Sequence, residues 1–117
     1  MSEIIQRLQA TDFEALYQQA VSAARGVVAS GWDAVKEHVK KAAKNLRDAG
    51  VSVAKMLATG MLSETEAKLL MEDEKIAVRV QLRTVVAGAI LTAQRVVAAI
   101  LGVFGNAFKK ITGFDLV

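Results

Sequence analysis

The chain has 117 residues, of which 53% are hydrophobic and only 5% aromatic, and its formal net charge is +3. It contains no cysteine, no proline and a single histidine. These counts exclude disulfides, thiolate metal sites, cysteine nucleophiles and histidine-rich metal centres. Because proline interrupts helices more strongly than any other residue, its absence favours long helices. We expect one all-α domain over residues 1–117.

The predicted elements begin with a short N-terminal segment, which is followed by a first helical arm. Thr11 and Glu14 have the spacing of a capping box, which marks the start of a helix. Apolar residues then recur at alternating steps of four and three, the pattern of a helix that packs along a seam. The rhythm stays in phase through the glycines of this arm, so we predict a continuous helix over about 12–58.

A turn over 59–63 separates the first arm from the second. Ser63 and Glu66 form another capping box at the end of this turn. We predict a second helix over about 64–110, which ends with two lysines at the negative pole of its dipole. The chain then divides into five consecutive segments: 1–10, 11–58, 59–63, 64–110 and an apolar tail over 111–117.

Two helices of this length predict a long antiparallel hairpin, in which each helix is about 70 Å long. Folding about the turn would bring the acidic start of the first helix near Lys109 and Lys110. The alternative is a compact bundle of three or four helices, because most helices of globular domains are far shorter. In that bundle the first arm would break near Ser30 and Gly31, and again at Gly50.

The second predicted helix is apolar around most of its circumference. A helix of this kind is buried on several sides, and one antiparallel partner cannot cover it. We therefore expect a non-enzymatic structural protein: a self-assembling helical subunit of a homo-oligomer, filament or shell, whose partner is another copy of itself. The predicted assembly interface consists of eight apolar residues: Phe13, Val28, Trp32, Val97, Ile100, Leu101, Phe104 and Phe108.

Two other functions would use the same apolar surface. The first is a membrane-active or lipid-associated helical protein of the pore-forming type. Arg95 interrupts the most apolar stretch, which disfavours a membrane-spanning helix. The second is a helical adaptor that binds one different protein. Both functions stand as alternatives to self-assembly.

No motif of the sequence indicates catalytic, cofactor-binding or metal-binding residues. His38 directly follows Glu37, so on a helix the two side chains point about 100° apart and are poorly placed to share a metal. The basic residues of 36–55 are interrupted by acidic ones and lack aromatic interleaving, which indicates a solvated helix face. We expect no enzyme activity, no cofactor and no nucleic-acid partner.

The N-terminus lacks a basic region followed by an apolar core, so the sequence predicts no secretory signal peptide. The expected location is therefore the cytoplasm by default. Membrane association, signal-independent export and incorporation into a particle are the alternatives.

Overall fold

The computed structural model describes the backbone of residues 2–28, 31–85 and 90–117, and the side chains of 3–28, 31–83 and 94–117. These parts of the chain form five helices and contain no strand, which confirms the predicted all-α class. The helices are α1 (Ser2–Ala10), α2 (Phe13–Val27), α3 (Trp32–Ala58), α4 (Glu64–Val85) and α5 (Ile90–Thr112).

The long hairpin is wrong, and the structure has the compact arrangement of the alternative. The bundle measures 44 × 25 × 18 Å, well short of the length that one continuous helix per arm requires. The first arm breaks between α2 and α3, where Gly31 has φ 76°. Glycine adopts this left-handed conformation at little cost, which lets the chain turn here. The predicted cap at Ser30 lies outside the described residues.

The second arm is also divided, into α4 and α5. Arg79 and Leu101 line the same cleft, although one continuous helix would hold them about 33 Å apart. The chain that joins the two helices lies outside the described residues. The further break expected at Gly50 is wrong, because α3 continues through this residue. The described residues thus form five helices rather than three or four.

The antiparallel pairing of the two arms is retained within the bundle. α2 packs against α5, and α3 packs against α4, as folding about the turn predicts. The rings of Phe13 and Phe108 stack with their centroids 6.1 Å apart. The predicted contact of Glu14 with Lys109 or Lys110 at the end of α5 does not form. The carboxylate of Glu14 instead contacts Arg47 of α3 at 3.5 Å.

The start of α2 is capped by a different residue from the one predicted. The carboxylate of Asp12 accepts a hydrogen bond from the backbone N–H of Ala15 at 3.0 Å. The hydroxyl of Thr11 instead donates to the carbonyl of Arg7 in α1 at 2.6 Å. The predicted capping box of Thr11 with Glu14 is therefore wrong, because the preceding helix engages the threonine hydroxyl.

The capping box at the start of α4 is confirmed. The backbone N–H of Ser63 donates to the carboxylate of Glu66 at 3.0 Å, and the backbone N–H of Glu66 donates to the hydroxyl of Ser63 at 3.1 Å. α3 ends at Ala58 and α4 begins at Glu64, so the predicted turn over 59–63 has its expected boundaries.

The core lies where α5 meets α2 and α3, and it continues beneath α4. Its largest fully buried side chains come from three helices and the C-terminal tail: Leu46, Met71, Leu82, Ile100, Phe104, Phe108 and Leu116. Gly50 is also buried, and a Cβ atom built there would lie 2.5 Å from the ring of Phe108. The missing side chain at this position lets the aromatic ring of α5 lie directly against α3.

Replacing Ser63 with alanine removes a hydrogen-bond acceptor from the first turn of α4. We expect the free energy of unfolding to fall by about 1 kcal/mol near neutral pH. Urea denaturation followed by circular dichroism measures the change. Ser52→Ala is the matched control, because Ser52 is exposed within α3 and lies far from either helix end. An equal loss in both variants would contradict the capping role of Ser63.

The loss caused by Ser63→Ala should also depend on pH. The pKa of the Glu66 carboxyl is lowered, first because the backbone N–H of Ser63 donates to it and then because of the Ser63 side chain. A carboxyl whose pKa is lower in the folded protein stabilises the fold above its unfolded pKa, and the stabilisation is lost as pH falls through its folded pKa. Ser63→Ala keeps the backbone N–H and removes only the side-chain contribution, so only this part of the difference between wild type and variant should shrink in acid.

Candidate interaction surface

Half of the predicted assembly interface lies inside the folded chain. Val97, Ile100, Phe104 and Phe108 are buried in the core that α5 forms with α2 and α3. A two-helix hairpin would leave this face of the second arm uncovered, which is why the sequence pattern indicated contacts between chains. The bend between α2 and α3 covers the face within one chain. These four side chains are therefore covered by their own chain.

The other half of the predicted interface is half-buried and packs against the edge of the core: Phe13, Val28, Trp32 and Leu101. Phe13 lines a cleft with Arg47 of α3, and Trp32 lines one between α2 and α3. Leu101 lines a third cleft, between α4 and α5. Because three of the four residues line separate clefts, the structure does not gather them into one surface.

The most exposed apolar side chains of the described helices lie instead on α4. Leu69, Ile76 and Val80 are 62%, 52% and 55% exposed. They follow each other at steps of seven and four residues, so on a helix they point within about 40° of one another. Met71 and Val78 of the same helix are buried on the opposite side. α4 therefore has two apolar faces, of which the core covers one.

Two charged residues extend the exposed face of α4. Asp73 and Arg83 each point within about 40° of Leu69. The exposed residues then succeed each other at steps of four, three, four and three, the spacing of a helix-packing seam. We call this set the α4 outer row: Leu69, Asp73, Ile76, Val80 and Arg83. Neither charged residue of the row forms an ion pair with another side chain that the structure describes.

Four other charged residues of α4 form two ion pairs within the helix. Lys75 contacts Glu72 at 2.8 Å, and a hydrogen bond from Lys75 is the main reason why the pKa of the Glu72 carboxyl is lowered. Lys68 contacts Glu64 at 3.4 Å. In each pair the lysine neutralises the glutamate, so the pairs add little net charge beside the apolar residues of the outer row.

No family model, curated protein or solved structure matches this chain. The choice of a functional surface therefore depends on the geometry of the chain itself. Among the described residues, no group of three histidine, cysteine or acidic side chains is arranged to hold a metal ion. None of the helices that the structure describes combines the length and the hydropathy needed to cross a bilayer.

The clefts between the helices are a weaker basis for a functional site than the outer row. One of them, of about 520 Å³, lies where α1 and α2 meet α5 and includes Arg7 and Lys110. The guanidinium of Arg7 donates to the carbonyl of Ile111 at 3.3 Å, so it already holds α1 on α5. Small-molecule sites enclose a few convergent polar groups. Throughout the described ranges, no polar or charged side chain is buried.

The sequence contains the apolar spacing of the outer row. In one continuous helix over 64–110, however, that spacing belongs to a longer stripe. Ile76 and Val80 fit an apolar stripe that continues towards residue 111 if 64–110 is one helix. Because the chain divides after Val85, the stripe on α4 and the stripe on α5 have different surroundings. The α5 stripe is covered by the core, whereas the α4 stripe stays exposed.

Proposed function

We propose that the protein is a non-enzymatic helical subunit that self-associates through the α4 outer row. The observation that supports this proposal is the exposure of Leu69, Ile76 and Val80 on the side of α4 that faces away from the core. Several exposed apolar side chains on one helix face are characteristic of an interaction site. The spacing of the row suits packing against another helix, because steps of four and three keep successive residues on one face.

The expected strength of association follows from the size of the row. Covering one half-exposed Leu, Ile or Val side chain contributes about 1 kcal/mol. Two chains cover at most six such side chains, which amounts to no more than roughly 6 kcal/mol, whereas association itself costs roughly 4–15 kcal/mol. The gain only approaches this cost, so we expect weak association, with a Kd no tighter than about 100 µM, and an assembly that depends on protein concentration.

A closed homo-oligomer is the form of assembly that we propose. A filament needs contacts that do not close on themselves, whereas a two-fold contact uses the same surface on both copies. Outside α4, the described residues with large exposed apolar side chains are Val27, at the end of α2, and Met61, in the turn after α3. Single exposed residues of this kind are common on monomers. The outer row alone therefore supports a small closed assembly.

Replacing Val80 with glutamate tests the proposal. We expect the Kd of self-association to rise about a hundred-fold. Each dimer would contain two introduced carboxylates, one from each chain, within an apolar contact. Sedimentation velocity across a concentration series measures the change. The matched control is Met61→Glu, which places the same charge on an apolar side chain that is 72% exposed and lies outside the row. Equal effects of both substitutions would contradict the assignment of the surface.

Lipid association and binding of a different protein are the competing functions. Asp73 and Arg83 balance each other within the row, so the row has no net positive charge to attract an anionic membrane surface. We therefore expect the protein to stay in the bottom fraction when it is floated with anionic phospholipid vesicles. Recovery with the floating vesicles would favour lipid association instead. Co-purification of one stoichiometric partner would favour an adaptor.

A further inference from the structure

We propose that the occupant of the α4 outer row is the same row of a second copy, packed antiparallel about a two-fold axis that passes between Ile76 and Val80. Asp73 of each copy then faces Arg83 of the other. This inference rests on the proposed self-association and adds the orientation, the register and the ionic contacts of the pair.

The last four residues of the row are spaced symmetrically about their centre, and Leu69 lies outside this symmetric segment. From Asp73 to Ile76, Val80 and Arg83 the steps are three, four and three residues, so the order of steps is the same from either end. An antiparallel partner presents its residues in reverse order. The four residues of one copy therefore meet the four residues of the other in register, with Ile76 opposite Val80 twice at the centre. A two-fold contact requires this reciprocity.

The charges at the two ends of this segment are complementary under the same symmetry. Asp73 and Arg83 are both exposed, with Arg83 at the rim of the cleft between α4 and α5, and neither contacts an oppositely charged side chain of the described residues. The antiparallel pair forms two Asp73–Arg83 contacts. A parallel pair in register would instead set Asp73 against Asp73 and Arg83 against Arg83, and like charges in contact oppose association.

The register is specified as well as the direction. A shift of the antiparallel pair by one heptad towards the N-terminus of α4 pairs Leu69 with Val80 and Arg83 with Glu66, but it places Asp73 against Ile76 of the other copy. The carboxylate would then lose water without gaining a charged partner, which is unfavourable. Only the register centred between Ile76 and Val80 matches apolar residues with apolar residues and Asp73 with Arg83.

Charge reversal tests the pairing. We expect Asp73→Lys and Arg83→Glu each to raise the Kd of self-association about ten-fold, because each creates two like-charge contacts per pair of chains. The double variant, Asp73→Lys with Arg83→Glu, restores opposite charges and should return to within about three-fold of wild type. Sedimentation equilibrium at low ionic strength measures all four proteins. The differences should shrink in about 0.5 M salt, where exposed charges are screened.

Cysteine cross-linking provides a second measurement that does not depend on reversed charges. The chain has no cysteine of its own. We expect Asp73→Cys and Arg83→Cys chains to form a mixed disulfide dimer when they are oxidised together, and to form little dimer when each is oxidised alone. Cross-linking of Asp73→Cys with itself would indicate a parallel pair and overturn the proposal.

The outcomes separate the pairing from the function on which it rests. A wild-type chain that stays monomeric up to about 1 mM overturns both the proposed self-association and this inference. If the wild-type chain dimerises but the Kd of the double variant is as high as that of the single variants, the pairing alone is overturned. Thermal denaturation of each variant serves as the folding control, since both substituted side chains are exposed and should leave the midpoint nearly unchanged.

Discussion

Replacing Gly50 with valine is expected to lower the free energy of unfolding by about 3 kcal/mol. A Cβ atom at this position would lie 2.5 Å from Cζ and 2.6 Å from Cε2 of the Phe108 ring. The ring is fully buried, so it cannot move aside without displacing the residues around it. Urea denaturation followed by circular dichroism measures the loss.

The matched control for this substitution is Gly102→Val. Gly102 lies within α5, and no other atom lies within 4 Å of a Cβ built there. Valine has a slightly better helix propensity than glycine, so we expect no loss of stability or a gain of a few tenths of a kcal/mol. A Gly50→Val variant as stable as wild type would contradict the close approach of α5 to α3.

Truncating Phe108 to alanine is expected to lower the free energy of unfolding by about 4 kcal/mol. The ring is fully buried, lies 6.1 Å from the ring of Phe13 and 6.4 Å from the ring of Phe104, and fills the space above Gly50. Its removal leaves a cavity among groups that cannot all move in to fill it. Chemical denaturation measures the loss, and sedimentation shows whether self-association changes.

The Phe108→Ala experiment also distinguishes a core residue from an interface residue. The control is Phe114→Ala, because Phe114 is half-buried in the C-terminal tail and should contribute only about 1–2 kcal/mol. If Phe108 served contacts between chains, the variant would dissociate while the unfolding free energy of the monomer stayed the same. That result would contradict the placement of Phe108 in the core.

The sequence predicted much of the fold because its local signals are strong. The Ser63–Glu66 capping box and the turn before it are local features, and both have their expected positions. The prediction that each arm is one continuous helix was wrong. The heptad rhythm stays in phase across Gly31, and periodicity does not report the left-handed backbone of that residue. The bend depends on the gain from covering α5, which is a tertiary effect.

The candidate surface was harder to predict than the fold. An apolar stripe shows which residues avoid water. The stripe alone does not show whether the same chain or another chain buries these residues. Phe104 and Phe108 belong to the stripe that the chain covers by itself, and Ile76 and Val80 to the one that it leaves exposed. The two cases are distinguished by the division of the second arm into α4 and α5, which the sequence signals only weakly, since a single glycine, Gly88, lies between the two helices.

Sedimentation equilibrium of the wild-type chain over a wide concentration range tests the central claim most directly. We expect a helical monomer of 12.5 kDa at low concentration, because the core is complete within one chain. Above about 100 µM the average mass should rise towards twice that value, because the outer row becomes covered. A constant mass of 12.5 kDa up to about 1 mM would contradict the account.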